Sequence, residues 1–286
     1  MSTFTEANRQ AFDGLSTKYD SEPWRHRMTD QIKKGLHNRK DWIGVRWAES
    51  DDLQYGRETK LLDYACGTGS VTKAIGSWVT NIRGIDISEN MVKLFNEAAQ
   101  ASGLKTEQVN AVVGDLLGDE VSANLDTPEY QNFDLAVIGL GFHHFENPMR
   151  AIERLTERLK PATGVLIIID FLPFDKDEPA GPQAANAQTI KHGGFARQNM
   201  EMLFKAAKLE NFSFSVMEEQ VEMFGKDGTS SKRSVFFARG RREPTTWGKI
   251  SKWIGSMQTV ASDQWQIGPR EQVQAQLGPM GGRIRE

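Results

Sequence analysis

Lys60-Leu-Leu-Asp-Tyr-Ala-Cys-Gly-Thr-Gly69, continuing into Ser70-Val-Thr-Lys-Ala-Ile-Gly-Ser-Trp78, is the stretch on which the reading of this chain turns. A short β-rich run from Lys60 to Tyr64 holds an acid near its end. Small residues follow, and a helical period begins at Ser70. A strand that runs straight into a helix leaves free N–H groups at the helix start, where they attract a negative group. Ala65, Gly67 and Gly69 keep the turn thin enough for a ligand to approach the backbone.

The same pattern repeats downstream. Ile82–Asp86 reads as a second strand, and Glu89–Ala101 as a helix with Met91, Val92, Leu94, Phe95 and Ala98 on one stripe. Val109–Val113 is a third strand. Phe133–Leu140 is a fourth, near-continuously apolar as a strand buried on both faces should be. A helix over Pro148–Leu159 has its proline near the first turn, where a missing N–H costs little. Gly164–Ile169 is a fifth strand and Arg197–Ala207 a further helix. Phe212–Met217 and Arg233–Ala238 read as final strands joined through the turn-rich Gly225–Ser231. This alternation predicts an α/β fold with a mostly parallel sheet and helices on both faces.

Three segments stand outside the alternation. Residues 1–56 are helix-rich and read as an N-terminal cap on a domain spanning 57–240. Residues 172–194 form a Pro/Gly/Ala-rich insertion after the fifth strand, a length expected of functional lids or of disordered segments. Residues 241–286 form a tail. In it Trp247, Ile250, Ile254 and Met257 share a helical face that packs on the domain or docks a protein partner. Disorder is expected beyond about Ser262.

The 286 residues suffice for one large α/β domain, with or without an appendage. A net charge of −3 gives no bulk attraction to nucleic acid or an anionic membrane. The single cysteine, Cys66, excludes a disulfide framework and a cysteine-only metal cluster. The first residues lack the pattern of a secretory or mitochondrial leader, and no apolar run approaches the roughly 20 residues a spanning helix needs. The expectation is a soluble, cytoplasmic protein with no membrane partner.

Two further acids give the first loop its meaning. Asp86 closes the second strand, where a carboxylate can accept both hydroxyls of a ribose. Asp115 follows the third strand, where a loop can hold an adenine edge. Singly, each acid is an ordinary helix cap or loop charge. At three consecutive strand ends, Asp63, Asp86 and Asp115 together describe a nucleoside site. A dinucleotide fingerprint requires a third glycine where Thr72 stands, and no Tyr is followed four residues later by Lys. The pattern Asp-x-Ala-x-Gly-x-Gly suits S-adenosylmethionine better, with its ammonium near Asp63.

Leu61–Gly69, Gly84–Met91, Val113–Asp115, Phe133–Phe145 and Leu159–Pro161 resemble, in order, the successive motifs of class I methyltransferases. The nearest branch is the ubiquinone/menaquinone-biosynthesis type, also called type 11. Phe12-Asp13 and Tyr19-Asp20 resemble that branch's N-terminal helix, which folds over the cofactor. Ala65 departs from the usual first glycine. The resemblance implies a Rossmann-like, seven-stranded sheet and cofactor contacts at Asp63, Ala65, Gly67, Gly69, Asp86, Ile87, Met91, Asp115 and Leu116. It also implies Gly139 and Leu140 beneath the methionine moiety, Tyr19 above it, and Arg25 or Arg27 at its carboxylate. S-adenosylhomocysteine would be the product, with no metal required.

A sulfonium methyl is already activated, so the enzyme must chiefly place a nucleophile in line about 3 Å away and exclude water. His143, His144 and His192 are the candidate bases, should the acceptor need to lose a proton. Adjacent histidines on a loop point in different directions, so at most one of the first two faces the substrate. The acceptor pocket is expected from Trp24, Phe142, Phe145, Phe171, Phe174 and Phe195, a set suited to a hydrophobic small molecule. After the fourth strand Gly-Leu-Gly-Phe-His-His stands where nucleobase-methylating enzymes carry Asn/Asp-Pro-Pro, so no nucleic acid is expected. A thiol suits a site without a strong base, because it supplies its own thiolate. The chain is also similar to fungal small-molecule methyltransferases, including those acting on reduced gliotoxin-like dithiols. O-, N- or C-methylation of another metabolite or quinol, a non-catalytic regulator of the same fold, and a nicotinamide-dependent oxidoreductase are the alternatives.

Overall fold

The computed structural model describes residues 2–19, 21–52, 54–174, 187–224 and 229–251, with side chains at 17–19 and 187 outside that set. Three helices come first: α1 (Thr3–Tyr19), α2 (Pro23–His37) and the short α3 (Lys40–Ile43). Then follow β1 (Lys60–Tyr64), α4 (Ser70–Ile75), β2 (Asn81–Asp86), α5 (Glu89–Ala101), β3 (Val109–Val113), β4 (Leu135–Gly139), α6 (Pro148–Arg158), β5 (Val165–Phe171) and α7 (Arg197–Ala206). The last elements are β6 (Leu209–Val216), β7 (Val221–Phe224), β8 (Ser230–Arg233) and β9 (Val235–Arg242).

The seven-stranded sheet runs β3-β2-β1-β4-β5-β9-β6. β9 is antiparallel to both β5 and β6, while the remaining pairs are parallel. This is the Rossmann-like, mostly parallel sheet that the sequence predicts. Because successive strand residues face opposite ways, Leu61 and Leu62, Ile167 and Ile168, and Phe236 and Phe237 divide between two cores. One core packs beneath α2, α4 and α5, the other beneath α6 and α7. Strand order reverses between β2-β1 and β1-β4, which opens the crevice where ligands of such sheets bind.

The structure departs from the sequence reading at the C-terminal strands. β9 runs on to Arg242 rather than ending at Ala238, and a separate hairpin of β7 and β8 lies between β6 and β9. Val221 and Met223 bury one face of that hairpin, and α2 packs against β7. Residues 225–228 of the expected turn lie outside the described residues.

Residues 1–244 form one compact unit and 245–286 a second. Of the latter, a helical segment is described over 246–251, and the expected face residues Ile254 and Met257 and the tail beyond Ser262 lie outside the described residues. Residues 175–186 of the insertion do too. No described helix is long and apolar enough to cross a membrane.

Candidate active site

The loop between β1 and α4 carries its backbone in the left-handed region at three positions: Ala65 (φ 55°), Gly67 (φ 51°) and Gly69 (φ 86°). Gly69 needs to be glycine on packing grounds as well, since a Cβ there would lie 2.9 Å from the Phe95 ring. Gly67 is different. A Cβ on it would meet no protein atom within 4 Å, so its backbone is open toward a cavity of about 580 Å³ that it helps to line. Ala65 and Leu140 (φ 58°) hold the same conformation with a side chain, a strain of order 1–2 kcal/mol each of the kind found at functional sites. Both border the cavity.

The cavity sits at the C-terminal ends of β1, β2, β3 and β4, and its volume falls in the range of small-molecule sites. Asp86 receives hydrogen bonds from the Gly67 N–H (2.8 Å) and the Ser88 N–H (2.9 Å), which fixes the carboxylate at the rim. Burial raises its pKa against the pull of those bonds. Asp115 accepts from the Leu117 N–H (2.8 Å) and from the Tyr64 hydroxyl (3.2 Å). Burial, with Asp115 alongside, pushes the Tyr64 phenol well above its ordinary value, so it remains a donor. Asp63 lies behind the loop, fully buried. Thr72 donates to it through its hydroxyl (2.7 Å) and its N–H (3.2 Å).

Helix α1 forms the opposite wall through Ser2, which precedes it, and Thr5, Asn8 and Phe12. Asp13 pins it to the start of α5. It accepts from the Ser88 hydroxyl (2.6 Å) and the Asn90 N–H (3.2 Å), while the Asn90 amide donates to the Asp13 carbonyl (3.1 Å). The Ser88 hydroxyl also caps α5 by accepting from Met91 N (3.2 Å).

A tight turn at Phe142–His144 sends the two histidines to different destinations. His143 turns inward, where the Asp170 carboxylate accepts from its Nδ1 (2.8 Å) and its backbone N–H (3.0 Å). His144 lines the cavity. Its Nδ1 lies 2.7 Å from the Thr189 carbonyl, which can only accept, so the proton is on Nδ1 and Nε2 carries the lone pair. Burial and the neighbouring His143 hold its pKa well below the ordinary histidine value. It is therefore a neutral acceptor at physiological pH.

Of the sequence-derived site residues, the structure brings Ala65, Gly67, Asp86, Ile87, Met91, Asp115, Gly139, Leu140, His144 and Phe145 to one cavity. The others lie elsewhere. Asp63 and Leu116 are buried behind the wall, and Gly69 is the cap of α4. Arg27 projects over the Phe224 ring (5.7 Å) and Arg25 over Trp24 (4.5 Å), neither of them on the cavity. The Tyr19 side chain lies outside the described residues. His192 packs on Phe195, and its backbone N–H donates to the His143 carbonyl (3.0 Å).

The aromatic pocket is corrected most. Trp24 and Phe171 belong to the core beneath α2, α4 and α5, with Phe174 packed against it, and Phe142 and Phe195 belong to the core beneath α6 and α7. The sequence reading missed Asn8 and Tyr64 on the cavity and Asp170 behind it. Tyr64 had a readable signal: it is the last residue of β1, beside the loop.

Residues 62–168 match the family model described as methyltransferase domain. The chain is 31% identical over 197 residues to an uncharacterized methyltransferase of Schizosaccharomyces pombe, covering 68% of this chain and 64% of that protein. The chain thus spans less than two thirds of that relative's length. It is 27% identical over 247 residues to demethylmenaquinone methyltransferase of Staphylococcus aureus, covering 82% of this chain and 90% of that one. A putative methyltransferase from Bacillus halodurans shares the fold with a TM-score of 0.52 and 15% identity, over 73% of this chain and 99% of that one. Geranyl diphosphate C-methyltransferase from Streptomyces coelicolor does so with a TM-score of 0.53 and 14% identity, over 76% and 80%. Residues 62–168 carry a methyltransferase domain, and in sequence and fold the chain is similar to S-adenosylmethionine-dependent methyltransferases of class I. Its cofactor is S-adenosylmethionine, and the residues present fit it: an open glycine backbone at Gly67 faces the cavity, and carboxylates fixed at the ends of β2 and β3 border it.

Proposed function

We propose that the protein moves a methyl group from S-adenosylmethionine to a hydrophobic small molecule, with a thiol of a secondary metabolite, such as a reduced gliotoxin-like dithiol, as the acceptor. The observation that carries this reading is the cavity at the sheet's switch point, where Asp86 and Asp115 converge with the one imidazole that borders it among the described residues. When bound, the cofactor supplies an electrophilic methyl that needs no further activation. The chain's residues orient and enclose. Asp86, held by Gly67 and Ser88, keeps lone pairs for ribose hydroxyls, and Asp115 with Ile87 and Met91 borders the adenine. Gly139 and Leu140 form the floor. Residues 1–56 act as a cap and 172–194 as a lid that exclude water.

The thiol assignment rests on His144. A base whose pKa is held low accepts protons weakly, and it assists least where the acceptor's own pKa is high. Alcohols and amines would be poorly served, whereas a thiol near pKa 8–9 reaches its reactive anion at modest cost. A quinol carbon is the second reading, favoured by the similarity to a protein named demethylmenaquinone methyltransferase.

Calorimetry with S-adenosylhomocysteine tests the cofactor, and absence of binding by the wild type removes the whole reading. Tritiated methyl transfer onto a panel of thiols, phenols, amines and quinols tests the acceptor. Label on a quinol or amine with none on any thiol removes the thiol assignment and leaves methyl transfer standing.

A further inference from the structure

Asn8 of α1 lines the cavity, is 4% exposed, and has its amide orientation dictated by a neighbour. Its Nδ2 lies 3.2 Å from the His144 carbonyl, an atom that accepts and cannot donate. The NH₂ group must therefore face His144, which commits Oδ1 to the other direction. Among the described residues no donor meets that oxygen, and it is buried. A buried acceptor without a donor is a standing cost of the folded state, so native proteins keep few of them. Beside it, His144 is also an acceptor toward the cavity: Thr189 takes its Nδ1 proton and leaves Nε2 with a lone pair. The Phe12 ring meets His144 edge-on at 5.2 Å.

We infer that Asn8 is a ligand-reading residue: its side-chain oxygen accepts a hydrogen bond from an N–H, O–H or S–H group of a molecule bound in the cavity. The inference rests on the methyltransferase reading and narrows it. Asn8 and His144 each bring an acceptor to the residues that line the cavity, so the bound partner must present a donor to Asn8. An acceptor molecule carrying a protonated heteroatom matches this wall, and a fully alkylated one does not. The cofactor carries donors of its own, in its ammonium, ribose hydroxyls and adenine amine, and the two sources are separable by experiment.

The test is Asn8→Leu, which keeps volume and removes the acceptor. S-Adenosylhomocysteine is titrated into wild type and variant, and methyl transfer to dithiothreitol, catechol and the rest of the panel is measured with both. The expected result is a loss of about tenfold in one quantity. A weaker S-adenosylhomocysteine Kd places the donor on the cofactor. An unchanged Kd with a raised KM for a donor-bearing acceptor places it on the acceptor. Unchanged Kd with no panel compound whose KM rises overturns the inference, while wild type that binds no S-adenosylhomocysteine removes the underlying reading instead. The thermal midpoint of the ligand-free variant identifies misfolding. Should Asn8→Leu unfold, Asn8→Ser, which fills less space and keeps a short acceptor, is measured against Asn8→Ala, and equal affinities for both refute the role.

Discussion

Asp63 sits inside the sheet with no cation paired to it among the described residues, and its ionisation should set a measurable pH dependence of stability. Burial, the largest influence, raises its pKa from an ordinary 3.8 to about 7, although the Thr72 hydroxyl and N–H pull it down and the nearby Asp86 charge pushes it further up. The folded protein thus holds this proton more tightly than the unfolded chain does. The contribution is fully present below pH 3.8, declines as pH rises, and is gone once pH passes 7. At about 1.4 kcal/mol per pH unit, the gap corresponds to a penalty of about 4 kcal/mol above pH 7 and about 2 kcal/mol at pH 5. Asp63→Asn keeps an oxygen for both Thr72 donors and cannot ionise. Urea unfolding of both proteins at pH 5 and pH 8, extrapolated to water, should show the asparagine variant gaining about 2 kcal/mol more at pH 8 than at pH 5. A difference that does not change with pH, or one larger at pH 5, would refute the assignment of a buried, raised carboxyl.

Four other outcomes follow from the geometry. Asp86→Ala removes the acceptor of the Gly67 and Ser88 N–H groups, and calorimetry should show S-adenosylhomocysteine binding weakened at least about a hundredfold, by about 3 kcal/mol. Gly67→Ala and Gly139→Ala should separate ligand space from packing. The first meets no protein atom within 4 Å, so it should cost stability only the left-handed strain of about 1–2 kcal/mol while lowering cofactor affinity by more, and the second drives a Cβ to 2.5 Å from Val71 and should cost about 1–3 kcal/mol in chemical unfolding. His144→Gln should reduce the loss of stability on acidification. The wild-type imidazole is kept neutral, so its contribution is complete above pH 6.5 and lost as pH falls below it; melting scans from pH 7.5 to 5 check this. Asp13→Ala releases α1 from Ser88 and Asn90, and S-adenosylhomocysteine should bind about tenfold more weakly with the sheet domain's midpoint little changed.

The sheet was legible because its central strands are buried on both faces. Leu61-Leu62 and Val165–Ile169 are runs that a half-exposed strand would not tolerate, and each ends where acids and glycines take over. The loop residues were legible for a related reason: the backbone conformation and the carboxylate positions are local, written within a few residues of one strand end. What escaped is long-range. Asn8 meets His144 across 136 residues and Asp170 meets His143 across 27, and neither partner marks the other in sequence. β9 hid its end because Arg239, Arg241 and Arg242 read as a surface run. In the fold, Arg239 lies over Trp42 and Arg241 donates to the Gly44 carbonyl, so part of their length is covered. The β7–β8 hairpin offered only Val221 and Met223 in alternation against a serine-rich partner strand. Phe145 apart, the phenylalanines failed as pocket markers because an aromatic side chain fills a core as readily as a site.

The histidine turn ties cap and insertion to one atom group. From α1, Asn8 donates to the His144 carbonyl and Phe12 packs on its ring. From the insertion, the Thr189 carbonyl accepts the His144 ring proton, while the N–H groups of Lys191 and His192 donate to the His143 carbonyl. From β5, Asp170 accepts both the ring and backbone protons of His143, whose ring lies 4.0 Å from that of His144. Three separate stretches of chain therefore hold this turn, and one of them, through Thr189, fixes the tautomer of the His144 imidazole. Removal of any one would leave a polar group of the turn without its partner. Asn8 and Phe12 of α1 and Thr189 of the insertion thus meet on the same residue, His144, at the cavity wall.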